Sequence, residues 1–133
     1  MRTSLGVGAL ALAMLVLSAL GSRAEDQSFL TLDEISKTII GNTMTGQAKD
    51  GGGYAEYYAP DGVIHGQSDK RGAYKGSWWL RKQDNLMCFK YGDGPFDAGC
   101  TRLSLSGDKV EFVLMDGTVE GSATLLPGNP RKL

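Results

Sequence analysis

Gly72-Ala73-Tyr74-Lys75-Gly76-Ser77-Trp78-Trp79-Leu80-Arg81, followed closely by Leu86-Met87-Cys88-Phe89-Lys90-Tyr91, is the stretch that decides the fold. It holds both tryptophans, two of the five tyrosines and one of the two cysteines, so the largest apolar side chains gather where a core would condense. Alternation with a period of two, the mark of a half-buried strand, sets Tyr74, Gly76, Trp78 and Leu80 on one face and Lys75, Ser77, Trp79 and Arg81 on the other. One tryptophan is therefore expected inside and its neighbour outside.

The pattern continues on both sides. Strands are predicted over 43–48, 54–59, 63–68, 73–81, 86–91, 100–105, 110–115 and 118–125. Pro60-Asp61-Gly62, Gln83-Asp84-Asn85, Gly107-Asp108 and Asp116-Gly117 separate them, each supplying residues that tolerate the positive φ of tight turns. Connections this short favour a meander in which each strand pairs with the next. Closing the meander removes its two exposed edges, so the fold class is all-β, an eight-stranded antiparallel up-and-down barrel, with a flattened sandwich as the alternative. The tail Leu126-Pro127-Gly128-Asn129-Pro130 cannot be strand and ends the domain.

Upstream of the strands, Thr31-Leu32-Asp33-Glu34 has the form of a capping box and predicts one short helix over about 31–41. Leu32, Ile35 and Ile39 share a face at helical spacing, and Gly41-Asn42 supplies the stop. So short a helix must dock by its apolar face, and it is expected to plug one end of the barrel.

The first 24 residues read as a signal peptide. Arg2 is the positive n-region, Leu5 to Leu20 is apolar or small, and Ser22-Arg23-Ala24 offers small residues at a cleavage site. The competing reading is a transmembrane anchor, for which the run is near the lower length limit. Cleavage after Ala24 leaves a single domain, 25–133, of about 109 residues, which buries roughly 60 to 65% of its unfolded surface. Without Arg2 and Arg23 the 14 basic residues become 12 against 15 acidic ones, a net charge of about −3. With no basic stripe to neutralise phosphates, a nucleic-acid partner is not expected. Export, periplasmic or secreted, implies an oxidising compartment, where Cys88 and Cys100 have only one pairing open to them. With one histidine and no third cysteine, no metal site is expected.

Motifs for chemistry are sparse. Lys49-Asp50-Gly51-Gly52-Gly53 lacks the following helix that a phosphate cradle needs and reads as a hairpin loop. Asp93 and Asp97, in the loop the cysteines would enclose, are too few for calcium. His65 could be assembled with Glu56 and Asp61 into a triad on paper, but no serine has a nucleophile context, so neither catalysis nor a cofactor is expected.

The ordered series Gly41-Asn42-Thr43, Tyr57-Tyr58-Ala59-Pro60-Asp61-Gly62, Gly66, Gly76-Ser77-Trp78, Cys88, Cys100, Asp116-Gly117 and Gly128-Asn129-Pro130 resembles a family of small exported proteobacterial proteins of unknown function. The tandem Trp78-Trp79 departs from the single tryptophan of that pattern. The resemblance implies an exported domain and no assigned activity. A looser likeness of architecture joins the chain to lipocalin and avidin barrels, whose Gly-x-Trp element begins an early strand, whereas here it lies mid-chain.

Two functions from different classes fit these residues. One is an exported binding module whose barrel mouth takes a small apolar or amphipathic ligand bounded by Tyr54, Tyr58, Trp78 and Phe89. The other is an inhibitor-like protein that blocks an envelope or extracellular enzyme, such as a lysozyme or protease, through an exposed loop, and Trp79 with Lys75 and Arg81 is a candidate anchor for an envelope partner. Interior volume discriminates between them, and so short a chain leaves no expectation of a large cavity.

Overall fold

The computed structural model describes residues 28–92 and 98–133. The expected signal peptide and the aspartates at 93 and 97 lie outside the described residues. One helix, α1 (Leu32–Thr38), precedes β1 (Thr43–Gln47), β2 (Gly53–Tyr58), β3 (Val63–Ser68), β4 (Gly72–Arg81), β5 (Leu86–Tyr91), β6 (Ala98–Ser106), β7 (Lys109–Val113) and β8 (Val119–Leu126). Each strand pairs antiparallel with the next, and β1 returns to β8 with Met44 opposite Leu125, so the barrel is closed and the sandwich is set aside.

The helix is made as its sequence implies. Thr31 Oγ1 accepts from the Glu34 amide at 3.3 Å while Glu34 Oε2 accepts from the Thr31 amide at 2.8 Å, completing the capping box. The helix is shorter than the expected 31–41 because the chain turns at Thr38 and leaves through Gly41, whose φ of 81° needs glycine. Ile35 and Ile39 are fully buried in a core with Met44, Tyr58, Ile64, Met87, Phe89 and Leu103, so α1 stops one end of the barrel. The tail fastens that same end: the Gly128 amide donates to Asn42 Oδ1 at 2.8 Å and Thr43 Oγ1 donates to the Gly128 carbonyl at 2.7 Å. The Gly-Asn-Thr and Gly-Asn-Pro pieces of the sequence are thus two halves of one clasp.

β4 has the expected phase. Trp78 packs against the core and its Nε1 donates to the Ala59 carbonyl at 2.8 Å, whereas Trp79 is 43% exposed on the outer surface. The Cys88–Cys100 disulfide joins directly opposed residues of β5 and β6. Strand ends differ by a residue or two from expectation, most at the β7–β8 hairpin. There the register shifts between Phe112 and Val113, and Leu114 to Thr118 form a turn in which the Leu114 amide donates to the Thr118 carbonyl. Among the described residues no helix is long and apolar enough to cross a membrane.

The disulfide closes a short loop between neighbouring strands and restricts the unfolded chain. Replacing both cysteines by alanine is expected to cost about 2 to 4 kcal/mol in denaturant unfolding. A midpoint unchanged from wild type would show that the bond contributes nothing to the fold.

Candidate functional site

Among the described residues the end of the barrel opposite α1 is open. The turns between β1 and β2 and between β3 and β4, with Gly92 after β5 and the first residues of β8, surround a cleft of about 730 Å3 that reaches down between the strands to Glu56. Its walls are Tyr54, Tyr74, Tyr91 and Phe112, and its rim carries Lys49, Asp50, Arg71, Lys75 and Glu120. This volume exceeds what a chain of this length leads one to expect, and glycine is the reason. Gly121, opposite Phe112 on β8, lines the cleft, and a Cβ added there would meet no atom within 4 Å.

Glu56 is the centre of the site. The residue is only 7% exposed, and its carboxylate accepts three phenolic hydrogen bonds. Tyr58 donates to Oε2 at 2.5 Å, Tyr91 to Oε2 at 2.9 Å and Tyr74 to Oε1 at 2.7 Å. Three strands contribute. Tyr58 lies two residues along β2 from Glu56 and so shares its face, while Tyr74 and Tyr91 reach in from β4 and β5.

That reach depends on what is missing between the partners. In the strand register Glu56 is opposite Gly66, which is opposite Tyr74. A side chain at Gly66 would fall inside the Tyr74 ring, so the ring occupies the space glycine leaves and its hydroxyl arrives at Glu56. Gly76 and Tyr91 repeat the arrangement one strand on, where an added Cβ would lie 2.8 Å from the ring. Gly46 and Tyr54 repeat it on β1 and β2, at 2.9 Å from the hydroxyl oxygen. The Tyr74 and Tyr91 rings meet edge to face at 6.1 Å between centroids, which fixes their tilt.

Burial, and after it the Glu56 charge, hold these phenols protonated. The Tyr54 pKa is raised to about 12, and those of Tyr58, Tyr74 and Tyr91 are pushed well above the usual phenol range. Each therefore remains a hydrogen-bond donor at any physiological pH.

Of the residues singled out from sequence, Tyr54 lines the cleft and Lys75 sits at its rim. Tyr58 does not line the cleft but is buried beneath it, bonded to Glu56, while Phe89 lies edge to face with Tyr58 at 6.2 Å and Phe112 at 5.9 Å. Trp78 belongs to the core toward the closed end. Trp79 and Arg81 are on the outside of β4, and among the described residues the cation–π contact is Arg102 over Phe29 rather than either basic neighbour over Trp79. His65 is opposite Tyr57, on the face of the wall turned away from Glu56, and Asp61 Oδ1 accepts from the Val63 amide within its own turn. The paper triad of Glu56, Asp61 and His65 does not assemble.

The sequence reading places Glu56 only in that paper triad and does not join it to Tyr74 and Tyr91. The available signal was the alternation of Tyr54, Glu56 and Tyr58, which places an acid between two aromatics on one inward face. A second depression, of about 580 Å3 outside β3 and β4, is lined by His65, Gln67, Lys75, Lys132 and Leu133. These side chains are exposed or half-buried, so it lacks an enclosed polar group. Among the described residues no group of three metal-ligating side chains occurs. Compared with known protein families, characterised proteins and solved structures, the chain matches none.

A phenol whose folded pKa lies above its unfolded value near 10 holds its proton longer in the folded state. The stability this represents is whole below pH 10 and is lost as pH rises from there through the folded value, about 12 for Tyr54. At pH 11 the hydroxyls of Tyr58, Tyr74 and Tyr91 are expected to stay un-ionised while the protein is folded and to gain phenolate absorbance at 295 nm only with unfolding. Full ionisation of all five tyrosines at pH 11 with a native circular dichroism spectrum would contradict the buried cluster.

Proposed function

We propose that the protein is an exported, periplasmic or secreted binding module whose barrel mouth holds a small ligand without transforming it. The observation that carries this reading is the cleft: its volume of about 730 Å3 lies within the range of small-molecule sites. Its composition agrees, with aromatic walls and a single enclosed acid at the bottom, the pattern of a mostly apolar pocket oriented by few polar groups. The disulfide is the chemistry of an oxidising compartment and supports export.

The inhibitor-like reading keeps one observation in its favour, the 43% exposed Trp79 on the outer surface. An anchor on the outside needs no interior space. The cleft favours the first reading because a barrel acting only through its outer surface has no use for an interior kept open at Gly121.

The neutral apolar fluorophore N-phenyl-1-naphthylamine tests the cleft. Its emission is expected to rise on mixing with the protein and not with a folded Gly121→Trp variant, whose indole fills the open space. No enhancement in wild type, or equal enhancement in both, would remove the cleft as a ligand site. Capture of a lysozyme or protease by both proteins but not by Trp79→Ala would instead place function on the outer surface.

A further inference from the structure

Among the described residues three donors reach Glu56, fewer than its carboxylate can accept. Its two carboxylate oxygens offer about four acceptor sites. Oε2 is taken by Tyr58 and Tyr91, whereas Oε1 is taken by Tyr74 alone. The carboxylate also lacks a counter-charge, since the ion pairs among the described residues are Lys37 with Asp33, Arg71 with Asp50 and Lys109 with Glu111. Phenols do not fill that role: they donate hydrogen bonds but carry no positive charge. An acid that is nine-tenths buried, short of one donor and without a cation, thus forms the bottom of an open cleft.

We infer that the ligand of this cleft carries a protonated amine that enters between Tyr74 and Tyr91 and donates to Glu56 Oε1. The inference rests on the binding-module reading and names the chemical class that reading leaves open. An ammonium supplies both missing things at once, the fourth donor and the counter-charge, and a charge-assisted bond at such a site is among the stronger ones available. The surroundings suit it further. The ring faces of Tyr54, Tyr74 and Tyr91 attract a cation, and the lone pairs of their hydroxyls accept any N–H that Glu56 does not take. An anion meets the opposite situation, because the hydroxyl hydrogens of Tyr74 and Tyr91, like that of Tyr58, are already committed to Glu56 and the carboxylate repels it.

The rim does not make this choice. Lys49, Arg71 and Lys75 stand there with Asp50 and Glu120, and Arg71 is 3.7 Å from Asp50, so both signs are present. Selection for positive charge lies at depth, where among the described residues Glu56 is the acid at the aromatic walls.

Three compounds of one shape separate the possibilities: 2-phenylethylammonium, the neutral 2-phenylethanol and the anionic phenylacetate, each titrated calorimetrically into wild type and used to displace N-phenyl-1-naphthylamine. The amine is expected to bind at least tenfold more tightly than the alcohol, with the acid weakest. Glu56→Gln is expected to bring the amine down to the alcohol. Equal affinities, tighter binding of the alcohol or acid, or a preference that survives Glu56→Gln would overturn the inference. The fluorophore keeps the two readings apart: if it binds and is displaced equally by all three, the cleft stands and the ammonium site falls. If neither it nor the amine binds, both fall. The comparison in wild type decides the matter even if Glu56→Gln does not fold.

Discussion

A carboxylate inside a β-barrel must have its acceptors filled, and this requirement at Glu56 organises the open half of the molecule. An acid buried without partners costs several kcal/mol, and hydrogen bonds to a charged acceptor return roughly 1.5 to 3 kcal/mol each. Tyr58, Tyr74 and Tyr91 supply three of them from β2, β4 and β5. For their rings to converge on one point the wall between must be bare, and Gly66 and Gly76 make it so. The acid, the phenols and the glycines are therefore one unit, and a change in any of them disturbs the others.

The two ends of the barrel divide the work. At the closed end, Ile35 of α1 and Ile39 just after it complete an apolar core, and the clasp of Asn42 and Thr43 with Gly128 holds the tail against the first strand. This end supplies the stability of a small domain, with the disulfide across β5 and β6 adding to it. The open end contributes less apolar burial and keeps empty space at Gly121. Such space weakens packing, since its lining atoms lack contacts on one side, and a ligand that fills it restores them. Binding and stability are then coupled through the same aromatic walls.

Much of the architecture was legible in residue order. Alternation set the phase of β4, so that Trp78 and Trp79 could be assigned to opposite faces, and glycine and aspartate turns marked the strand ends. The β7–β8 hairpin was less legible because a register shift between Phe112 and Val113 breaks the period of two that strand reading relies on. The site was legible only in part. Alternation tells which face Glu56 and Tyr74 occupy, but they are 18 residues apart and meet only because the register sets Gly66 between them. Interior volume is not legible in chain length, which bounds a barrel's size, whereas an inward glycine whose space no neighbour fills, as at Gly121, leaves part of it open.

The coupling between Glu56 and Tyr91 is the most direct measure of whether the buried carboxylate organises the barrel. A double-mutant cycle with Glu56→Gln, Tyr91→Phe and the two combined, read by equilibrium denaturation, isolates that coupling from the separate costs of each change. A charge-assisted bond within a shared cluster gives an expected coupling of about 1.5 to 3 kcal/mol, with Tyr91→Phe costing much less once Glu56 is already amidated. Additivity within about 0.3 kcal/mol would contradict the account, leaving Glu56 as an acid whose phenolic partners do not hold the fold together.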